Sequence, residues 1–107
     1  MMMDIVLLET KIAQPNKKVF KLQFAVGEFD MVVFDQKTLT CQIYEVKYSK
    51  DQVSEQYRHI TNEEKCAMTR QRYGDITGRY VIYRGEDAKV EGVQYLNVEE
   101  YLKLLDK

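Results

Sequence analysis

Between Val19 and Tyr48 the chain runs through three β-type segments separated by turn residues, and this stretch leaves a sheet as the only economical fold for its middle. Val19 to Phe24 sets Phe20, Leu22 and Phe24 on one side. Glu28 to Phe34 and Cys41 to Tyr48 are rich in β-branched and aromatic residues. Gly27 and the polar stretch Asp35 to Thr40 supply the turns, so an antiparallel meander is expected.

Both flanks change to helical period. Met1, Ile5, Leu8 and Ile12 recur at helical spacing up to Ala13, and the turn-like segment Gln14 to Lys18, with Pro15, ends the pattern. From Lys50 to Tyr73 the stripe is Val53, Tyr57, Ile60 and Ala67, with Gly74 as the stop and Asn62-Glu63-Glu64 as a place for a division into two helices. A strand follows at Arg79 to Tyr83. A polar loop around Gly85 and Gly92 leads to a short strand, Val93 to Leu96. Asn97 then caps a last helix, with Glu100 at the reciprocal capping-box position and Val98, Tyr101, Leu102 and Leu105 facing inward. The expected order is α-β-β-β-α-β-β-α.

The chain has 107 residues, enough for one domain, 1–107, and no linker interrupts it. Sixteen Lys plus Arg stand against 17 Asp plus Glu, so a strongly basic coat for nucleic acid is excluded and any such binding needs a local patch or a metal. No apolar run approaches a membrane span and no signal peptide opens the chain, so a cytoplasmic protein without a membrane partner is expected. Cys41 and Cys66 lack a CxxC pairing and read as reduced core thiols. His59 is the single histidine, which excludes a histidine-rich metal site. The first helix begins abruptly on apolar residues, as in a piece of a longer protein.

Period-two alternation puts Ile43, Glu45 and Lys47 on one face of the third strand. With a hairpin loop at Asp35 to Thr40, Phe34 lies opposite Cys41, Val32 opposite Ile43, and Asp30 opposite Glu45. Opposed residues have Cβ atoms only ~4.5–5.5 Å apart, and like charges there repel unless a cation sits between them. Two carboxylates with Lys47 alongside suit a hard ion such as Mg²⁺, which takes few carboxylates and keeps its waters. The plainer alternative is an exposed strand face, with Glu45 and Lys47 as solvated surface charges.

Gly27-Glu28-Phe29-Asp30 followed by Glu45-Val46-Lys47 resembles the active-site pattern of the PD-(D/E)XK nuclease superfamily, an acidic residue on one strand and an acidic-x-Lys triplet on the next. More narrowly, Asp4 to Thr10, Tyr44 to Lys47, Glu55 to His59, Arg84 to Asp87 and Val98 to Leu102 resemble the C-terminal domain of prokaryotic AAA-type ATPases of poorly defined function. The resemblance implies a restriction-endonuclease-like α+β core, with a central mixed sheet flanked by helices. It also implies Mg²⁺ or Mn²⁺ held by Asp30 and Glu45 with the Val46 carbonyl, and Lys47 as the electrostatic partner. Nucleic acid and an N-terminal ATPase domain are the implied partners, and a homodimer is compatible with it. No GxxxxGK[ST] loop occurs, so no ATP site of that kind is expected.

Two further residues are candidates at stripe edges. Glu9, about 40° from Ile5 on the first helix, faces either the metal or solvent, and Gln56, about 60° from Val53, is either an assistant in the site or an exposed amide. Glu28 is expected to point away from Asp30. Two functions follow: a metal-dependent nuclease, or a nuclease-like module that binds nucleic acid or a partner protein without cleaving.

Overall fold

The computed structural model of the protein describes residues 2–51 and 54–106. A helix, α1 (Met2–Ala13), precedes the meander β1 (Lys18–Phe24), β2 (Gly27–Asp35) and β3 (Thr40–Val46). Helices α2 (Ser54–Ile60) and α3 (Glu63–Tyr73) then lead to β4 (Asp75–Tyr83), followed by β5 (Ala88–Val90), β6 (Val93–Asn97) and α4 (Val98–Leu105). The six strands form one mixed sheet in the order β1-β2-β3-β4-β6-β5. Strands β1 to β3 are antiparallel, β4 lies parallel to both β3 and β6, and β5 returns antiparallel to β6. A parallel neighbour requires a crossover, which α2 and α3 provide between β3 and β4.

Alternation along the strands divides the core into two layers. Val32, Phe34, Cys41, Ile43 and Val81 pack with Ile60 and Cys66 on the face that α2 and α3 cover. Met31, Val33, Tyr44, Val46 and Ile82 pack with Val6 and Tyr101 under α1 and α4. Tyr73, at the end of α3, has its ring centroid 5.1 Å from that of Phe20 and 5.2 Å from that of Phe34. On the other face Tyr44 stacks on Tyr80 at 4.8 Å, and the Thr10 and Tyr101 hydroxyls share a buried hydrogen bond of 2.7 Å.

Several boundaries differ from expectation for local reasons. The predicted long helix divides at Asn62, whose Oδ1 accepts the Lys65 N–H at 3.0 Å and so starts α3 afresh. On α3 the buried face is Lys65, Cys66 and Thr69, while Ala67 is exposed; Val53 lies outside the described residues. Strand β4 starts at Asp75 rather than Arg79, because Thr40 and Cys41 already pair with Asp75 and Ile76. The loop after Gly85 contains β5. Asn97 caps α4 by accepting from the Glu99 and Glu100 amides, but the reciprocal half of the capping box is absent: the Asn97 N–H goes to Asp87 Oδ1 at 2.7 Å.

The largest departure is in α1. Ile5, Leu8 and Ile12 were expected inside, and the structure leaves all three exposed, burying Val6 and Thr10 instead. Met1, the first residue of the expected stripe, lies outside the described residues. The helix is apolar on two opposite faces, so spacing alone admits two docked orientations, and the Thr10–Tyr101 bond marks the one adopted. Among the described residues no helix is long and apolar enough to cross a membrane.

Gly74 ends α3 at φ +82°, and a Cβ there would sit 1.8 Å from the Leu39 carbonyl oxygen. Gly92, at φ +84°, has open space around it. Gly74→Ala is therefore expected to lower stability by about 3 kcal/mol, backbone strain and overlap together, and Gly92→Ala by about 1 kcal/mol, from strain alone. Urea unfolding of the two variants checks this, and equal losses would contradict it.

Candidate functional site

The site begins with an irregularity in β2. Phe20 pairs with Val32 but Leu22 pairs with Phe29, so Asp30 and Met31 together oppose the single residue Lys21. Such a bulge twists a strand and re-aims its side chains. Its effect on alternation is direct: Phe29 and Val32, three residues apart, enter the same core layer.

On the other edge of β2 the expected hairpin register forms, with Phe34 opposite Cys41 and Val32 opposite Ile43. The ladder then stops at Met31–Tyr44, one pair short of Asp30 and Glu45. Beyond it the strands are joined by a side chain, since Asp30 Oδ2 accepts the Val46 N–H at 2.8 Å. A strand residue directs its N–H and C=O to the same edge, so the Val46 carbonyl also lies on the β2 side. On the opposite edge the Lys47 N–H donates to the Ile82 carbonyl at 2.9 Å, and β4 thereby fixes the backbone of the Glu45-Val46-Lys47 triplet.

Asp30, Glu45 and Lys47 line one cavity of about 350 Å³ with Glu28, His59, Asn62 and Lys65. Glu45 is only 4% exposed, and its Oε1 has no hydrogen-bond partner. Burial first, then the charge of the neighbouring Asp30 and a carboxyl–carboxyl hydrogen bond with it, push its carboxyl up to about 8 against the opposing charges of Lys65 and Lys47. At neutral pH Glu45 therefore holds a proton next to the Asp30 carboxylate.

Lys65 was not a candidate from sequence. It is buried on α3, donates from Nζ to the Glu28 carbonyl at 3.0 Å, and sits 4.7 Å over the Phe29 ring. In sequence it stands after two glutamates and looks solvated. The available signal was that the α3 segment, Glu63–Tyr73, has too few apolar residues to make a stripe, so that a polar side chain had to share its buried face.

Of the other candidates, Glu9 and Gln56 lie elsewhere. Glu9 is half-buried on α1, whose packing is on the other sheet face, and does not line the cavity. Gln56 is buried on α2 with Oε1 unpartnered, but it too is absent from the cavity wall. Glu28, expected to point away from Asp30, lines the cavity with it, two residues along the same strand, and its carboxylate is taken up by Lys21 at 2.9 Å. His59 is exposed at the rim, 3.7 Å from Glu55. Burial pushes the Cys41 thiol up to about 11, so it is a packed, unreactive group as expected.

A wider depression of about 650 Å³ lies at the end of β4 beside Asn97, and Tyr83, Asp87 and Asn97 in its wall hold the chain together. Asn97 Nδ2 donates to the Gly85 carbonyl at 2.9 Å, the Asn97 N–H donates to Asp87, and the Tyr83 hydroxyl donates to the Glu86 carbonyl. The smaller cavity brings an orphaned buried carboxyl oxygen together with two lysines. Among the described residues no group of three or more His, Cys, Asp or Glu side chains is placed to hold a metal, so protein donors beyond the two carboxylates would be backbone oxygens. Compared with known protein families, curated proteins and solved structures, the chain gives no match.

The proton on Glu45 has a thermodynamic consequence. It is held more tightly in the folded chain than in the unfolded one, whose ordinary value is 4.5, so its contribution is fully present below that pH and is lost as pH rises through about 8. Stability is expected to fall over this range by up to about 1.4 kcal/mol per pH unit, and Glu45→Gln to flatten the dependence. Urea unfolding at several pH values from 5 to 8 measures it; a wild-type profile as flat as that of Glu45→Gln would contradict the assignment.

Proposed function

We propose that the chain is a metal-dependent phosphodiesterase domain of the PD-(D/E)XK type, acting on nucleic acid. The observation that carries this reading is the convergence of Asp30, Glu45 and Lys47 on one cavity, with a buried Glu45 oxygen that no protein group satisfies. The element order supports it too: α1 and β1 to β3, then α2/α3 crossing to a parallel β4, matches the α-β-β-β-α-β order of that superfamily's restriction-endonuclease-like core.

The donor set fits a hard cation. The Asp30 and Glu45 carboxylates, with the Val46 carbonyl, are oxygen ligands of the kind Mg²⁺ and Mn²⁺ prefer, and the orphaned Oε1 is left for such an ion. When bound, the ion supplies charge to polarise a phosphate oxygen and to acidify water. The chain's own groups do the rest. With such an ion held, Glu45 would be deprotonated and Lys47 would orient the attacking water and offset negative charge growing on the phosphate, while Lys65 keeps a second ammonium at the cavity wall. Glu9 and Gln56 have no part in this arrangement.

By its resemblance to the C-terminal domains of AAA-type ATPases, the domain would work in the cytoplasm, appended to an ATPase. A second reading, a nuclease-like module that binds nucleic acid or a partner protein, is favoured by one observation: a net charge of −1 gives little general attraction for a polyanion.

Incubation with single- and double-stranded DNA and RNA in Mg²⁺ or Mn²⁺ separates the two. The enzyme reading expects metal-dependent fragments and a loss of about 10²-fold or more in Lys47→Ala, with unchanged circular dichroism. Cleavage by Lys47→Ala at the parental rate would overturn the mechanism, and binding without cleavage by the parent would select the module.

A further inference from the structure

A lysine removed from water is ordinarily paired with a carboxylate, and Lys65 is in no ion pair. It is 3% exposed, and the ion pairs among the described residues, Lys21–Glu28, His59–Glu55 and Lys103–Glu100, do not include it. Its ammonium has three donors, of which one reaches the Glu28 carbonyl at 3.0 Å. The Phe29 ring lies 4.7 Å away, and a Cβ at Gly27 would stand 3.7 Å from its Cδ and 3.8 Å from its Nζ, so ring and backbone enclose the end of the side chain. Two donors are left on a residue that borders the cavity. Lys47, half-buried and likewise in none of those ion pairs, lines the same cavity from the end of β3.

We propose that Lys65 and Lys47 form a phosphate-binding pair, in which the Lys65 ammonium donates directly to a phosphate oxygen of a nucleic-acid strand lying over the cavity. This deepens the nucleic-acid reading above and rests on it. In that reading the Asp30 and Glu45 carboxylates and a divalent ion cancel in charge, and both ammonium groups are left without a counter-ion. A phosphate group supplies one. Its several oxygens accept from ammonium groups on two different elements, and lysine acts on it as a compact point charge. Glu28 does not compete for this role, because Lys21 holds its carboxylate at 2.9 Å. The pair also provides what the composition lacks, a local cationic spot for a polyanion on a chain of net charge −1.

The two lysines differ in how ready they are. Lys65 is fixed by the Glu28 carbonyl and the Phe29 ring, so its side-chain freedom is already lost on folding and binding costs it little more. Asp30 borders the same space, and in the absence of a cation its charge opposes an incoming phosphate. Asp30→Asn is therefore expected to strengthen phosphate binding, the reverse of its effect on cation uptake.

Fluorescence anisotropy of a labelled oligothymidylate of about 12 nucleotides, titrated with the 107-residue chain in chelator at several salt concentrations, tests the contact without cleavage. Lys65→Met is expected to weaken binding about tenfold and to reduce the slope of log affinity against log salt by about 0.7, the share of one phosphate contact on a single strand. A merely structural role would leave that slope unchanged. Asp30→Asn is expected to tighten binding about threefold. The Lys65 Nζ resonance of the parent, a readout that needs no variant, is expected to shift when the oligonucleotide is added. No binding by the parent at the lowest salt, an unchanged slope in Lys65→Met, or an Nζ resonance that stays in place at saturation would overturn the proposal. Metal-dependent cleavage alongside an unchanged slope would keep the phosphodiesterase and remove Lys65 from it, whereas a reduced slope without cleavage in Mn²⁺ would keep the phosphate contact and overturn the phosphodiesterase.

Discussion

A buried carboxyl next to another carboxyl is among the least favourable arrangements a small core can contain, and the cavity of this protein is organised around one. Glu45 lies under α2 and α3 with an unsatisfied oxygen, and Asp30 is at its side. The hairpin register brings the two side by side, and beside the β2 bulge the ladder ends one pair short of them. Asp30 replaces the missing backbone acceptor by taking the Val46 N–H, so the group that ends the hairpin ladder also faces the cavity. Such strained polar arrangements are tolerated where function requires them.

The surrounding elements limit the cost of that arrangement. Lys65 spends its buried position on the Glu28 carbonyl and the Phe29 ring, and its charge opposes the rise that burial imposes on Glu45. Lys47 acts in the same sense from just beyond β3. A protonated Glu45 removes the remaining electrostatic conflict at neutral pH, at the expense of pH-dependent stability. The rest of the sheet has no comparable tension. Its two apolar layers, with Tyr73 against Phe20 and Phe34 on one face and Tyr44 against Tyr80 on the other, hold the strands at fixed spacing around the site.

The parts of the fold that were legible in the sequence are those in which one periodicity excludes others. The meander, its Phe34–Cys41 and Val32–Ile43 pairs, and the placing of Glu45 and Lys47 on one face follow from period two and a single turn. The Asn62 division and the Asn97 cap follow from side chains that bind amides at fixed offsets. Orientation of α1 was not legible, because a helix apolar on two sides has no unique inward face. The bulge was hidden as well, since no glycine marks it and Asp30 and Met31 suit a regular strand equally well. Lys65 escaped for a related reason: a lysine after two glutamates looks like surface until the lack of an apolar stripe on α3 is taken into account. Glu9 and Gln56 sit at helix edges, where spacing does not determine which neighbour a side chain meets.

The central claim is that the proton Glu45 carries beside Asp30 marks a site for a divalent cation, which displaces it in the proposed function. Isothermal titration of Mn²⁺ into the protein at pH 7, repeated in buffers of differing ionisation enthalpy, measures binding and proton release in one experiment. The account predicts uptake of one ion with release of about one proton, and loss of both in Asp30→Asn. Binding that releases no proton, or that survives Asp30→Asn unchanged, would contradict it.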